Sequence, residues 1–484
     1  MKETVLPYEK VQKLPEIIQG GLGVAVSNWR MAGEVASTGE MGVVSGTAIG
    51  IVLARRLQNG DELMLGALQS FPDQRIAQTI VDDYYLPDGR QPNKPYKNVS
   101  LKDEKSVQKA IDLNMVGAYA EVMLAKKLAF EKSANPGPVG INLLTKLQMP
   151  TVSALYGAML ARVDCVIMGA GIPRDIPGIL KDLAEDKTTS NILEVTGSNN
   201  IHETIFKPAD YPLLLEVPKI TPAFLAIISA NVLAQALTRE DEMPSPNGFV
   251  IEGPTAGGHN APARAKQFDE IGQPIYGERD KVNLDKIKTL GLPYWLAGGY
   301  GTPEGLNEAK KLGAIGIQAG SAFALCEASG FVPALSETII KQILSGKLEI
   351  YTSAIASPTG FNFKLAFTKN AKPQNIANRF CDIGGLSEAY SLKGSDEIFY
   401  RCPAENVETY KNKGGDTAKA IGKLCLCNGL LATVGLGQIR SGNIEEAIIT
   451  LGDKAPETVK RLVGKYGLHF TASDVVDFLR SSTR

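Results

Sequence analysis

The chain has 484 residues, more than one ordinary domain requires, and its 44% hydrophobic and 21% charged residues support a large buried core and argue against global disorder. Its 51 basic and 52 acidic residues are interspersed and leave a formal net charge of −1, so no face is built to attract a polyanion and nucleic acid is not an expected partner.

The chain opens on a charged stretch, Met1 to Lys13, with no signal-peptide core behind it, and no run approaches the roughly 18 to 20 apolar residues of a membrane helix. A cytoplasmic location without membrane attachment is the expectation. Beyond that stretch, short runs rich in Val and Ile alternate with helical patterns, as parallel strands buried on both faces and joined by crossover helices do. Strands are predicted at Met41 to Val44, Val139 to Leu143, Cys165 to Met168, Gly248 to Ile251, Pro293 to Leu296 and Ile315 to Gln318. The fold class that follows is α/β, a (β/α)8 TIM barrel over residues 1–350, with its active site at the C-terminal ends of the strands.

Two stretches break the alternation and read as insertions or long loops. One is Phe71 to Ser100, with Leu86-Pro87-Asp88-Gly89, and the other is Arg264 to Asp280, with Gly272-Gln273-Pro274. Asp82-Asp83-Tyr84-Tyr85 reads as a helix end entering a solvated loop, since no partner ligand has metal spacing. After Gly330 the rhythm fades. Residues 351–484 look mainly helical and are taken as a separate C-terminal module whose role the sequence does not state.

The most specific structural signal is Leu296-Ala297-Gly298-Gly299-Tyr300-Gly301-Thr302-Pro303-Glu304. A buried strand runs into two glycines, and Thr302 is placed to cap a helix whose first residue is Pro303. One unit later the strand Ala314 to Gln318 opens into Ala319-Gly320-Ser321-Ala322, read as the start of a helix through Glu327. Two glycine-bearing strand ends near helix N-termini make a phosphate site of the kind found in the last two units of such barrels. Phosphosugars and flavin nucleotides both use such a site.

Of three histidines, one lies in Ile251-Glu252-Gly253-Pro254-Thr255-Ala256-Gly257-Gly258-His259-Asn260. A strand that ends in a flexible glycine pair and then a histidine puts an imidazole over the barrel mouth. There it can take a proton from carbon or hydrogen-bond a developing oxyanion. His202 and His469 stand outside any motif and read as ordinary packing or solvated residues.

At this point the sequence resembles the nitronate monooxygenase family of 2-nitropropane dioxygenase-like flavoproteins, in a longer branch with a C-terminal extension. The segments that carry the likeness are Gln19-Gly20-Gly21-Leu22, Ala36 to Val43, Ala256-Gly257-Gly258-His259, and Ala297-Gly298-Gly299 with Ile317-Gln318-Ala319-Gly320-Ser321, in the same order over roughly residues 15 to 330. The resemblance implies FMN, with Gly20, Gly21, Leu22, Asn142, Gly257, Gly258, Gly298, Gly299, Gln318, Gly320 and Ser321 around it and His259 near the reactive edge of the flavin. It also implies oxidation of alkyl nitronates or related carbanions with O2 as acceptor and His259 as base or polarising group. This chain departs from the family in carrying Gly20-Gly21 where many members have Ala-Pro, and Asn260-Ala261-Pro262-Ala263-Arg264 after the histidine.

Two further functions stay open. One is an NAD(P)H-dependent flavin reductase of enoyl thioesters or quinones, for which the absence of a Gly-x-Gly-x-x-Gly segment decides little. The other is a non-catalytic flavin- or phosphate-binding barrel working in an assembly. The expected partner is a small-molecule substrate with O2 or NAD(P)H, and a homo-oligomer is compatible with the sequence. Lys146 and Arg174 follow strand ends, where they are either solvated or in touch with an anionic substrate. Cys165 and Cys326 read as core. Cys381, Cys402, Cys425 and Cys427 cluster late, as buried small apolar side chains or as ligands of zinc or an iron-sulfur cluster, and no metal ligand is assigned.

Overall fold

The structure, a computed structural model, describes residues 14–99, 104–239, 244–368, 381–392, 397–440 and 442–481. Met1 to Lys13, Ser100 and parts of the region beyond 368 lie outside the described residues. Eight parallel strands form the centre: β1 (Ile17–Gln19), β2 (Gly42–Ser45), β3 (Val139–Leu144), β4 (Cys165–Gly169), β5 (Ala223–Ile228), β6 (Gly248–Glu252), β7 (Tyr294–Ala297) and β8 (Gly316–Ala319). Each pairs with its neighbour in sequence, and β8 pairs with β1. A parallel bridge between Ile18 and Met41 closes the ring, giving the (β/α)8 barrel.

Inward-facing Ile18, Val43, Cys165, Ile167, Leu225, Val250 and Trp295 fill the barrel as a packed core. Trp295 is fully buried, and its indole N–H donates to the carbonyl of Pro15 (2.8 Å), which plugs the N-terminal end of the barrel. Helices cover the outside. Trp29–Ser37 starts where the Asn28 side chain accepts from the N–H of Met31 (3.0 Å). It buries Met31, Ala32, Val35 and Ala36 along one stripe. Glu104–Lys132 packs across this helix and across Ile49–Gln58 and Gln148–Leu160.

The stretch from Phe71 holds a helix, Gln74–Tyr84, before its irregular part, and Asp83 at the helix end pairs with Lys97 (3.2 Å) and Lys109 (2.5 Å). Residues 264–280 are irregular apart from a short 3-10 turn that begins at Glu278. Between β4 and β5 stands an antiparallel hairpin, Thr189–Leu193 with His202–Phe206. His202, read from the sequence as an ordinary packing or solvated residue, begins its second strand and bonds Ser198 Oγ (2.7 Å).

Beyond β8 the structure also differs from the expected helix from Ser321 to Glu327. Residues 321–329 form successive turns, with Phe323 N–H on Gly320 O, Cys326 N–H on Phe323 O and Ser329 N–H on Cys326 O. Ala322, Phe323, Ala324, Leu325 and Cys326 are all buried, so the segment has no polar face to turn to solvent as a surface helix would. The first helix after β8 is Pro333–Leu344.

The C-terminal region is carried by helices Val407–Asn412, Leu426–Thr433, Ala455–Tyr466 and Ala472–Arg480, with short strands among them. Ala472–Arg480 packs on Trp29–Ser37, and Arg480 reaches the buried Glu40 (2.8 Å), whose other oxygen accepts from Ile17 N–H. Arg461 grips Glu304 through two bonds (2.7 and 3.0 Å). Strand Leu348–Ser353 pairs with Asn362–Thr368, which pairs in turn with Gly258–Asn260. The histidine segment is thus an edge strand of a sheet completed about a hundred residues later.

Candidate active site

The first wall of the site is the loop that leaves β1. Gln19 is fully buried, its Nε2 donating to Ser27 Oγ (2.8 Å) and its Oε1 accepting from Val43 N–H (3.0 Å). Ser27 Oγ accepts from Leu22 N–H (2.8 Å) and donates to Gly20 O (2.9 Å). These bonds hold Gly20-Gly21-Leu22 across the top of the strand. A Cβ on Gly21 would lie 2.2 Å from Asn142 Cβ, so only glycine lets the loop rest on β3. Asn142 itself is anchored by Nδ2 on Ile167 O (3.1 Å).

The second wall is the strand ends of β7 and β8. Gly298 and Gly299 adopt φ of +80° and +88°, the left-handed region that a side chain disfavours. Thr302 Oγ1 accepts from Gly305 N–H (3.1 Å) and caps the helix Pro303–Lys311 as the sequence implies. Ser321 Oγ accepts from Gly452 N–H (2.8 Å), so the place expected for a second helix start is taken by residues of the C-terminal region. Gln318 Oε1 is buried without a hydrogen-bond partner.

His259 forms the third wall. Its Nε2 lies 2.7 Å from Ser357 Oγ, and its ring meets the edge of Phe363 at 4.9 Å between centroids. Ser357 is fully buried, and its carbonyl accepts from Lys423 Nζ (2.8 Å). Burial without a carboxylate partner lowers the imidazole to about 4, so the ring is neutral at neutral pH. At the end of β6, Glu252 is pushed up to about 8 by the same desolvation and holds its proton at pH 7.

These walls enclose one cavity of 1090 Å³ at the C-terminal mouth of the barrel. Every residue named from the sequence for flavin or for catalysis, from Gly20 to Ser321 and including His259, lines it. Lys146 lines it too and pairs with Glu194 (2.9 Å). Arg174 does not, and donates to Ala236 O (3.3 Å). His469 is exposed near Glu327 (3.7 Å). All six cysteines are free thiols, and among the described residues no group of three or more His, Cys, Asp or Glu side chains is arranged to hold a metal ion. No helix among those residues is long and apolar enough to cross a membrane.

Sequence reasoning missed two contributors. Glu252 was written in the sequence as an acidic residue at the C-terminal end of a barrel strand, a position that favours chemistry. The C-terminal region had no such signal, yet Thr359, Phe363, Lys423, Leu430, Thr450 and Gly452 help to line the cavity. It is fastened there by Gly258 N–H on Thr450 Oγ1 (2.6 Å) and Asp453 N–H on Thr255 O (3.0 Å).

The residues present fit a flavin nucleotide. Gly298, Gly299 and Gly320 bring backbone without side chains to the cavity wall where a phosphate would sit, the orphaned Gln318 oxygen can accept from a ring N–H, and apart from its chain neighbours no atom lies within 4 Å of where a Cβ on Gly258 would sit.

Comparison with family models and with curated proteins gives no match. Among solved structures the chain is similar to FabK from Thermotoga maritima, at 13% identity over 98% of this chain and 93% of that one, TM-score 0.45. It is also similar to nitroalkane oxidase from Streptomyces ansochromogenes, at 12% identity over 96% and 94%, TM-score 0.45. A third is the enoyl reductase domain of MlnA from the macrolactin biosynthesis cluster of Bacillus amyloliquefaciens, at 11% identity over 98% and 96%, TM-score 0.47. Likeness at this level bears on no activity, and the functional reading rests on the residues of the site.

Proposed function

We propose that the chain is an FMN-dependent oxidoreductase in which neutral His259 polarises an oxygen of the substrate, and that its substrate is an enoyl thioester or quinone reduced with NAD(P)H. The observation that carries the flavin assignment is the meeting of four glycine-bearing segments, at Gly20, Gly257, Gly298 and Gly320, in one cavity with His259. Gly298, Gly299, Gly320 and Ser321 would hold the phosphate, and Gly20 to Leu22, Asn142 and Gln318 the ring system. When bound, FMN supplies the two-electron chemistry that side chains lack.

The remaining chemistry belongs to the chain. A histidine that protonates only near 4 is a poor base at neutral pH but a sound hydrogen-bonding group, which favours the polarising role over proton abstraction from a neutral nitroalkane. Ser357 fixes the ring from one side. Protonated Glu252 offers a second O–H in the same desolvated space. The cavity, at 1090 Å³, exceeds the roughly 300–1,000 Å³ of an ordinary small-molecule site, which leaves room for a second ligand beside a cofactor. Ile51, Ile111, Leu147 and Phe206 in its wall suit an acyl chain better than a short nitronate.

The experiment is anaerobic titration of the purified protein, which should be yellow. Bleaching of the flavin by NADPH and its return on adding an enoyl thioester or quinone are the expected results. Bleaching by an alkyl nitronate alone would transfer the assignment to nitronate oxidation. A colourless protein that cannot be reconstituted with FMN would end both.

A further inference from the structure

The hydrogen bond that holds the His259 ring does not stop at Ser357. Ser357 and Thr359 stand in the loop that joins strands Leu348–Ser353 and Asn362–Thr368. Ser357 Oγ lies 2.7 Å from His259 Nε2 and 2.8 Å from Thr359 Oγ1. It also accepts from Thr359 N–H (3.2 Å), and Thr359 Oγ1 accepts from Phe361 N–H (3.4 Å). Ser357 is fully buried, whereas Thr359 is half-buried and lines the cavity. Leu424 N–H on Ala356 O and Lys423 Nζ on Ser357 O, both 2.8 Å, hold the loop against the C-terminal region.

We propose that Ser357 and Thr359 form a two-hydroxyl relay that carries a proton from solvent in the cavity to His259 Nε2 as Nδ1 gives one to the substrate. This role rests on the reading of His259 as the group that polarises a substrate oxygen. With Nε2 taken by Ser357, Nδ1 is the nitrogen left for that oxygen. Two arrangements satisfy the row of groups equally well. In the first, Thr359 Oγ1–H donates to Ser357 Oγ, Ser357 Oγ–H donates to Nε2, and Nδ1 carries the ring proton. In the second, Nε2–H donates to Ser357, Ser357 donates to Thr359, and Thr359 donates into the cavity.

Proton delivery converts the first arrangement into the second. The Nδ1–H bond breaks as the reduced substrate's oxygen takes the proton, and Nε2 receives the proton of Ser357. Ser357 receives that of Thr359, and Thr359 receives one from a water of the cavity. One proton passes from solvent to substrate, and the ring is neutral before and after. A ring lowered to about 4 cannot deliver a proton as imidazolium at neutral pH, and the row spares it from becoming imidazolate. When solvent later protonates Nδ1, the same row runs backward and restores the first arrangement. Ser357 and Thr359 act through the ring and are positioning residues.

The test begins with the flavin-free, full-length protein labelled with 15N-histidine, in which His259→Ala identifies the ring signals of His259. In the wild type both ring nitrogens should resonate between the protonated and unprotonated positions, as two exchanging tautomers do. In Thr359→Val the Ser357 hydroxyl keeps only Nε2 to donate to, and a buried O–H without an acceptor is the costlier choice. The ring should therefore lock with its proton on Nδ1. In the FMN-loaded enzyme the same variant should lose about 10-fold or more in kcat with KM within a few-fold, and Thr359→Ser should recover the averaged spectrum and most of the rate. A wild-type ring already fixed as one tautomer, or Thr359→Val with unchanged ring shifts, would overturn the relay, and the wild-type spectrum decides even if the variant fails to fold. Failure of the yellow protein to reduce an enoyl thioester or quinone would instead remove the assigned reaction, a result separate from the spectrum of the flavin-free protein.

Discussion

Replacing Glu252 by Gln should change how the stability of the flavin-free protein depends on pH, because two groups in the cavity oppose one another. Glu252 is raised from 4.5 to about 8, so the folded state holds its proton more tightly than the unfolded chain does. Its contribution is fully present below pH 4.5 and is lost as pH rises to 8. His259 is lowered from 6.5 to about 4, so its unfolded form takes up the proton first. Its contribution is present above pH 6.5 and is lost as pH falls to 4. Each titration carries a slope of about 1.4 kcal/mol per pH unit at most. Between 4.5 and 6.5 the slopes have opposite signs and cancel in the wild type. In Glu252→Gln only the histidine slope remains there, so stability should climb by up to about 3 kcal/mol from pH 4.5 to 6.5. Above pH 6.5 the variant should stay level while the wild type declines toward pH 8. Urea unfolding followed by tryptophan fluorescence at half-unit pH steps reads both curves. Parallel curves for wild type and variant from pH 4.5 to 8 would refute the argument that burial alone governs these two groups.

Three other outcomes are expected. His259→Ala should lower kcat/KM by roughly 100-fold or more, as loss of an oxyanion-stabilising donor does, while the flavin dissociation constant read by fluorescence quenching stays within a few-fold. Gly298→Ala places a Cβ 2.8 Å from Gly253 O at a φ of +80°, so the loop that leads to His259 must shift; the variant should lose about 1–3 kcal/mol of stability and release flavin on gel filtration. Asp453→Ala removes the carboxylate 2.7 Å from Lys364, whose side chain is 2% exposed. With only Thr352 Oγ1 (2.9 Å) left to it, the ammonium should cost about 3 kcal/mol or more in chemical denaturation, and Lys364→Met in the same background should restore part of the loss.

The barrel was legible because its strands are short, apolar and β-branched, and because glycines stand where several of them end. The six strands named from sequence agree with the structure to within a residue or so, for example Val139 to Leu143 against Val139–Leu144. Ala223–Ile228 was harder, because Ala-Phe-Leu-Ala-Ile-Ile has no period that separates a buried strand from a buried helix turn. The hairpin Thr189–Leu193 with His202–Phe206 alternates weakly, with exposed and half-buried positions mixed, and the adjoining Val195–Thr196 pairs with residues of the C-terminal region. The site was legible as far as its motifs reach. Its far wall was not, since the pairing of His259 with Phe363 and the bond to Ser357 join positions separated by about a hundred residues, and local pattern carries no trace of such a pairing.

That long-range pairing also sets an order of events during synthesis. A chain leaving the ribosome from its N-terminus has all eight staves of the ring by Ala319, well before Ser357 and Phe363 emerge to seat the imidazole. The nascent protein therefore passes through a stage in which the scaffold can be whole while its proposed reactive group still lacks a fixed address, and only translation of the late segments supplies one.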